Sequence, residues 1–106
     1  ISQVTPGHTL VIPKKHARNL LEMTPDKTAD LFNVVSTVTK KVENATQPQG
    51  MNIISNMEEI AGQSVFHTHV HILPRYSQDD DLKIDFIAHE PDFDRLAQLA
   101  KDISNH

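Results

Sequence analysis

Between Val65 and Leu73 the chain reads Val-Phe-His-Thr-His-Val-His-Ile-Leu, and this alternation constrains the fold more than any other feature. In a β-strand successive side chains leave on opposite faces. His67, His69 and His71 then share one side, while Phe66, Thr68, Val70 and Ile72 share the other. A helix would scatter the three imidazoles around its axis. The spacing therefore predicts a strand over Val65–Leu73, stopped by Pro74, with one face toward a core. The other face is chemical, its imidazoles about 6.5–7 Å apart.

The remaining elements follow from local patterns. Thr9-Leu10-Val11-Ile12, apolar and β-branched between Gly7 and Pro13, reads as a strand. His16 to Met23 can form a short helix. Thr24-Pro25-Asp26 is a strong helix start: Thr24 caps, Pro25 suits the first helical position, and Asp26 lies at the positive end of the dipole. Leu31, Val34, Val35, Val38 and Val42 recur at helical spacing and predict one long amphipathic helix to about Asn44. Gln47-Pro48-Gln49-Gly50 ends it. Met51 to Ser55 reads as a strand, with a polar loop through Gly62. Farther on, Leu82, Ile84 and Phe86 alternate with Lys83 and Asp85 as a short strand or extended arm. Pro91 opens a helix with Phe93, Leu96, Ala97, Ala100 and Ile103 on one face. This order predicts an α+β fold in a single domain, residues 1–106: an antiparallel sheet with helices packed on one face, the long one and a C-terminal one.

Composition removes several classes of function. A chain of 106 residues has room for one core of modest size. With no cysteine there are no disulfides, thiolate nucleophiles or Cys-based zinc sites, which fits a reducing compartment, the cytoplasm. A net charge of −4 argues against a nucleic-acid surface, and no apolar run is long enough to span a bilayer. The stretch Ile1-Ser2-Gln3-Val4 does not resemble a secretory leader. Histidine is the outlier, with seven copies against one tyrosine and no tryptophan, and it is the side chain that titrates nearest neutral pH.

Three readings fit an imidazole face: a solvated sheet surface, a metal site, or covalent catalysis in which one imidazole attacks phosphorus. Spacing alone does not separate the last two. The lead-in Ala61-Gly62-Gln63-Ser64 does, because Gly62 permits close backbone approach and Gln63 and Ser64 offer uncharged donors to phosphate oxygens. Asn56 adds another such donor. Of the other histidines, His8 reads as structural or surface, and His89 and His106 have no evident partners. Lys14 and Lys15 are solvated cations able to attract an anionic substrate. Arg75 and Tyr76 stand where a leaving group could be contacted.

His67-Thr68-His69-Val70-His71-Ile72-Leu73 resembles the motif of the histidine triad (HIT) superfamily, and Gly62-Gln63-Ser64-Val65-Phe66 matches its lead-in. Gly7-His8-Thr9-Leu10-Val11-Ile12-Pro13-Lys14-Lys15-His16 is similar to the upstream strand and loop of the Hint branch. The resemblance covers about residues 2–76. It implies hydrolysis or transfer at the α-phosphate of adenosine derivatives such as phosphoramidates or dinucleoside polyphosphates, with no metal or other cofactor. By the same resemblance His69 is the nucleophile and carries a transient nucleotidyl group. His71 hydrogen-bonds the phosphate, and His67 orients His69 through its backbone carbonyl. His16 approaches the phosphate or leaving group, and Asn56, Gly62, Gln63 and Ser64 complete the phosphate contacts. A homodimer is implied; the family pattern also includes a preceding segment, lining the base pocket and supplying a ribose-binding acid, which the sequence as given lacks. Within the matched region the loop 56–60 departs from the pattern, since glycine is common where Met57 or Glu58 stands.

Overall fold

The computed structural model describes residues 3–106; Ile1 and Ser2, the head of the stretch compared with a leader, lie outside the described residues. Three strands, β1 (Thr9–Val11), β2 (Gly50–Ile54) and β3 (Val70–Arg75), form an antiparallel sheet in the order β1-β3-β2. The register places Leu10 and Ile54 on either side of His71, and Thr9 and Ile53 on either side of Ile72. Facing residues of an antiparallel pair share a side, so the sheet has a histidine face and a core face.

The core face carries Val11, Val70 and Ile72, against which a long helix, α1 (Pro25–Thr46), lays Leu31 and Val35. Val70 and Ile72 have no exposed surface, and full burial of such a side chain contributes about 1.5–3 kcal/mol. α1 begins as its sequence predicts. The Thr24 hydroxyl accepts the Lys27 N–H at 3.3 Å, Pro25 opens the first turn, and Gln47 closes the helix in the left-handed conformation at φ 49°. Val34, expected in the apolar stripe, is 50% exposed because it falls beside the Leu31–Val35–Val38–Val42 row.

Three expectations are corrected. The helix over His16–Met23 reduces to one short turn, Leu20–Glu22, capped by the Asn19 side chain, which accepts the Leu21 N–H at 3.0 Å. β3 starts at Val70 rather than Val65, since the Thr68 N–H donates to the Ala17 carbonyl of a loop. Phe66 therefore leaves the core face. Nor does Pro74 stop β3, which runs to Arg75: past Ile72 the strand has only β2 beside it, and a proline there removes no bond on the unpaired side.

The tail departs furthest. The arm with Leu82, Ile84 and Phe86 forms no strand, and α2 (Phe93–Ser104) begins after Asp92, whose carboxylate accepts the Arg95 N–H at 3.1 Å. Its predicted face is real, but α2 buries none of its side chains, so only α1 packs on the sheet. The radius of gyration reflects this, at 16.5 Å against about 13 Å for a compact chain of this length. Among the described residues no helix is long and apolar enough to cross a membrane.

Candidate active site

Five imidazoles meet on the histidine face, and hydrogen bonds fix how each is presented. His69 Nδ1 lies 2.8 Å from the His67 carbonyl, the contact expected of that pair. A carbonyl only accepts, so Nδ1 carries the proton and, in the neutral ring, Nε2 carries the lone pair. The His69 carbonyl is held in turn by the Ser55 hydroxyl at 2.9 Å, from the end of β2.

His71 is set by His8, whose sequence context reads as structural or surface. The Val4 N–H donates to His8 Nδ1 at 3.2 Å, so a neutral His8 carries its proton on Nε2. That N–H donates to His71 Nδ1 at 2.9 Å, and His71 must keep its own proton on Nε2. The site thus places a bare nitrogen on His69 beside an N–H on His71, their ring centroids 4.9 Å apart. His8 reaches His71 because it lies one residue beyond β1 on the same face, diagonal to it across the ladder.

His16 meets the triad at His67. Its Nδ1 lies 3.1 Å from His67 Nδ1, while His67 Nε2 donates to the Pro13 carbonyl at 2.9 Å. The Thr68 hydroxyl donates to the Ala17 carbonyl at 3.0 Å. The loop after β1 is therefore a brace for the segment that leads into His69.

Such a constellation has known relatives. A model of the HIT domain matches residues 1–78. The chain belongs to the HIT family. Protein hit of Bacillus subtilis is 43% identical over 93 residues, which cover 88% of this chain and 64% of that protein. An adenosine 5′-monophosphoramidase of Schizosaccharomyces pombe is 32% identical over 105 residues, covering 99% of this chain and 76% of that one. A solved structure from Streptococcus mutans has 53% identity and a TM-score of 0.91, covering 97% of this chain and 65% of its own. A HIT protein structure from Bacillus subtilis has 37% identity and a TM-score of 0.93, covering 98% and 75%. The chain spans about three-fifths of the length of several curated relatives that it matches.

In this HIT chain the turn before the triad divides into a buried half and an open half. Gln63 is 2% exposed and its amide is fully engaged inside the protein. Its oxygen accepts the Glu58 N–H at 2.8 Å and Asn19 Nδ2 at 3.1 Å; its nitrogen donates to the Arg18 and Val65 carbonyls. The donor expected to meet a phosphate is instead a clamp on the turn. Asn56 Nδ2 reaches toward the Gly62 carbonyl at 3.5 Å. Ser64 is exposed, and its hydroxyl makes no hydrogen bond among the described residues, so it is free for a ligand.

Burial lowers the pKa of His71, and the neighbouring His69 and His8 lower it further; burial alone lowers that of His8. Both rings are held neutral near pH 7, as their hydrogen-bond pattern requires. Arg75 and Tyr76 are engaged elsewhere: Arg75 binds Asp80 at 3.1 Å, Asn52 at 2.7 Å and the Leu82 carbonyl at 3.0 Å, and the Tyr76 hydroxyl donates to the Pro6 carbonyl at 2.6 Å. Lys14 and Lys15 are exposed and line a cavity of about 630 Å³ between the end of β1 and α1, to which His16 alone of the five imidazoles contributes.

Proposed function

We propose that this HIT chain hydrolyses or transfers the nucleotidyl group of adenosine derivatives substituted on the α-phosphate, such as phosphoramidates or dinucleoside polyphosphates, by two displacements through a nucleotidyl-His69. The reading is carried by the complementary protonation that the hydrogen bonds dictate for two neighbouring rings, with Nε2 bare on His69 and protonated on His71. His69 Nε2 attacks phosphorus, the bond to the leaving group breaks, and water then cleaves the phosphorus–nitrogen bond. The intermediate divides one difficult displacement into two easier ones. The His71 N–H donates to a phosphate oxygen, and the Ser64 hydroxyl and the turn at Gly62 complete the cradle, with Asn56 beside it. His67 keeps His69 in its tautomer, and His16 braces His67.

The monophosphoramidase relative supports the reaction class. The reading includes a homodimer acting in the cytoplasm without a metal. Its test is single-turnover trapping with adenosine 5′-phosphoramidate. The wild-type chain gains one adenylyl mass on His69, whereas His69→Ala keeps its fold and gains none. Adenylylation of another residue, or turnover by His69→Ala, overturns the reading. A chain that binds adenosine 5′-monophosphate without turnover is instead a nucleotide-binding module.

A further inference from the structure

Glu58 adopts φ 75° and ψ 159°, a region essentially reserved for glycine. The other non-glycine residue at positive φ among the described residues, Gln47, closes a helix, where the left-handed conformation is ordinary. Glu58 closes nothing of that kind. Such a conformation persists only where the surroundings over-determine it.

The surroundings here do so from both ends. The Glu58 carboxylate receives Arg18 Nε at 2.7 Å, Arg18 Nη2 at 2.8 Å and Asn19 Nδ2 at 2.8 Å. The Glu58 N–H goes to the Gln63 side chain, and its carbonyl accepts the N–H groups of Ala61 and Gln63, each at 3.1 Å. Gln63 then returns to the Arg18 carbonyl, closing a ring. The Arg18 guanidinium also lies over the Phe66 ring, 4.1 Å from its centroid. One side chain therefore grips the turn at residue 58 and again at residue 66, and Gly62 and Ser64 lie between. Next to Arg18, Ala17 holds Thr68, one residue before His69. The turn and the nucleophile are thus referred to one short loop.

Both side chains of the pair are well exposed, 40% for Arg18 and 45% for Glu58. Ion pairs in that setting add little to stability, so the consequence of the fork is geometric.

We propose that Arg18 and Glu58 are a pair of positioning residues that hold the Gly62–Ser64 turn in register with His69. The inference rests on the nucleotidyl-transfer reading. It is tested in the full chain with Arg18→Ala, Arg18→Lys, Glu58→Gly and the double variant Arg18→Ala/Glu58→Gly. The readouts are kcat, KM, melting temperature and amide exchange at Gly62–Ser64. Arg18→Ala is expected to lower kcat/KM about tenfold, chiefly through KM, and to speed exchange in the turn by a similar factor while α1 is unaffected. Arg18→Lys keeps the charge, loses the fork and falls between. Glu58→Gly costs less than Arg18→Ala, because glycine holds φ 75° unaided. Added to Glu58→Gly, Arg18→Ala costs at most about threefold.

Equal cost of Arg18→Ala with and without Glu58→Gly overturns the proposal. So does turn exchange that Arg18→Ala leaves unchanged. If the wild-type chain shows no turnover, only the reaction reading falls, and the exchange measurement still decides the pair.

Discussion

Replacing Gly7 by alanine probes the joint between fold and site, one residue before His8. Gly7 has φ +85°, and a Cβ there would lie 2.8 Å from Thr46 Cγ2 and 3.3 Å from Pro74 Cγ. The left-handed backbone costs an alanine about 1–2 kcal/mol. Thr46 cannot yield freely, since it is stiff at χ1 and its hydroxyl donates to the Val42 carbonyl at 2.7 Å. Rotating it away forfeits that bond, about 0.5–1.5 kcal/mol. The two contributions predict a loss of about 1.5–3.5 kcal/mol, or on the order of 10 °C in melting temperature for a domain of this size. Urea denaturation read by circular dichroism measures it. Gly50→Ala is the control, because its Cβ would meet nothing within 4 Å, and it should be neutral or about 1 kcal/mol stabilising. Equal midpoints for Gly7→Ala and Gly50→Ala would refute the steric and conformational argument together.

Two further outcomes follow from the imidazole chain. The folded pKa values of His71 and His8 lie below their ordinary 6.5, so on acidification the unfolded chain binds protons that the folded chain does not. Their contribution is fully present above about pH 7.5 and is lost as pH falls from 6.5 through the depressed folded values; urea midpoints that rise on acidification in that window contradict the assignment. His8→Ala frees His71 to move its proton to Nδ1, and kcat/KM for an adenosine phosphoramidate should fall about 10–100-fold with little change in α1 helicity. An unchanged rate removes His8 from the site.

Local signals were legible in the sequence and long-range ones were not. Thr24, Pro25 and the Leu31–Val35–Val38–Val42 row specify α1 from neighbours a turn away, and the structure follows them to within two residues at the C-terminus. Strand alternation correctly buries Thr68, Val70 and Ile72. It fails at Phe66 because a loop, not a strand, takes the Thr68 N–H, and nothing in residues 65–73 carries that information. His8 was missed for the same reason, since its meeting with His71 depends on the register of β1 against β3. The chemistry of Gln63 alone points to phosphate. Its burial follows from the Arg18, Asn19 and Glu58 partners that the fold brings to it. Of these only Glu58 left a trace in the sequence, as a carboxylate where glycine is common.

The Val4 N–H lies at the head of the imidazole chain, and unlike every ring nitrogen after it, a backbone amide cannot change its role. The polarity of the His8–His71 bond is therefore written by a group with no side-chain chemistry at all. An edit that removes this amide proton, as proline at position 4 does, would erase the instruction while leaving every histidine in the chain in place. In this protein the main chain is part of the titration machinery, and a scan of side chains alone would not find it.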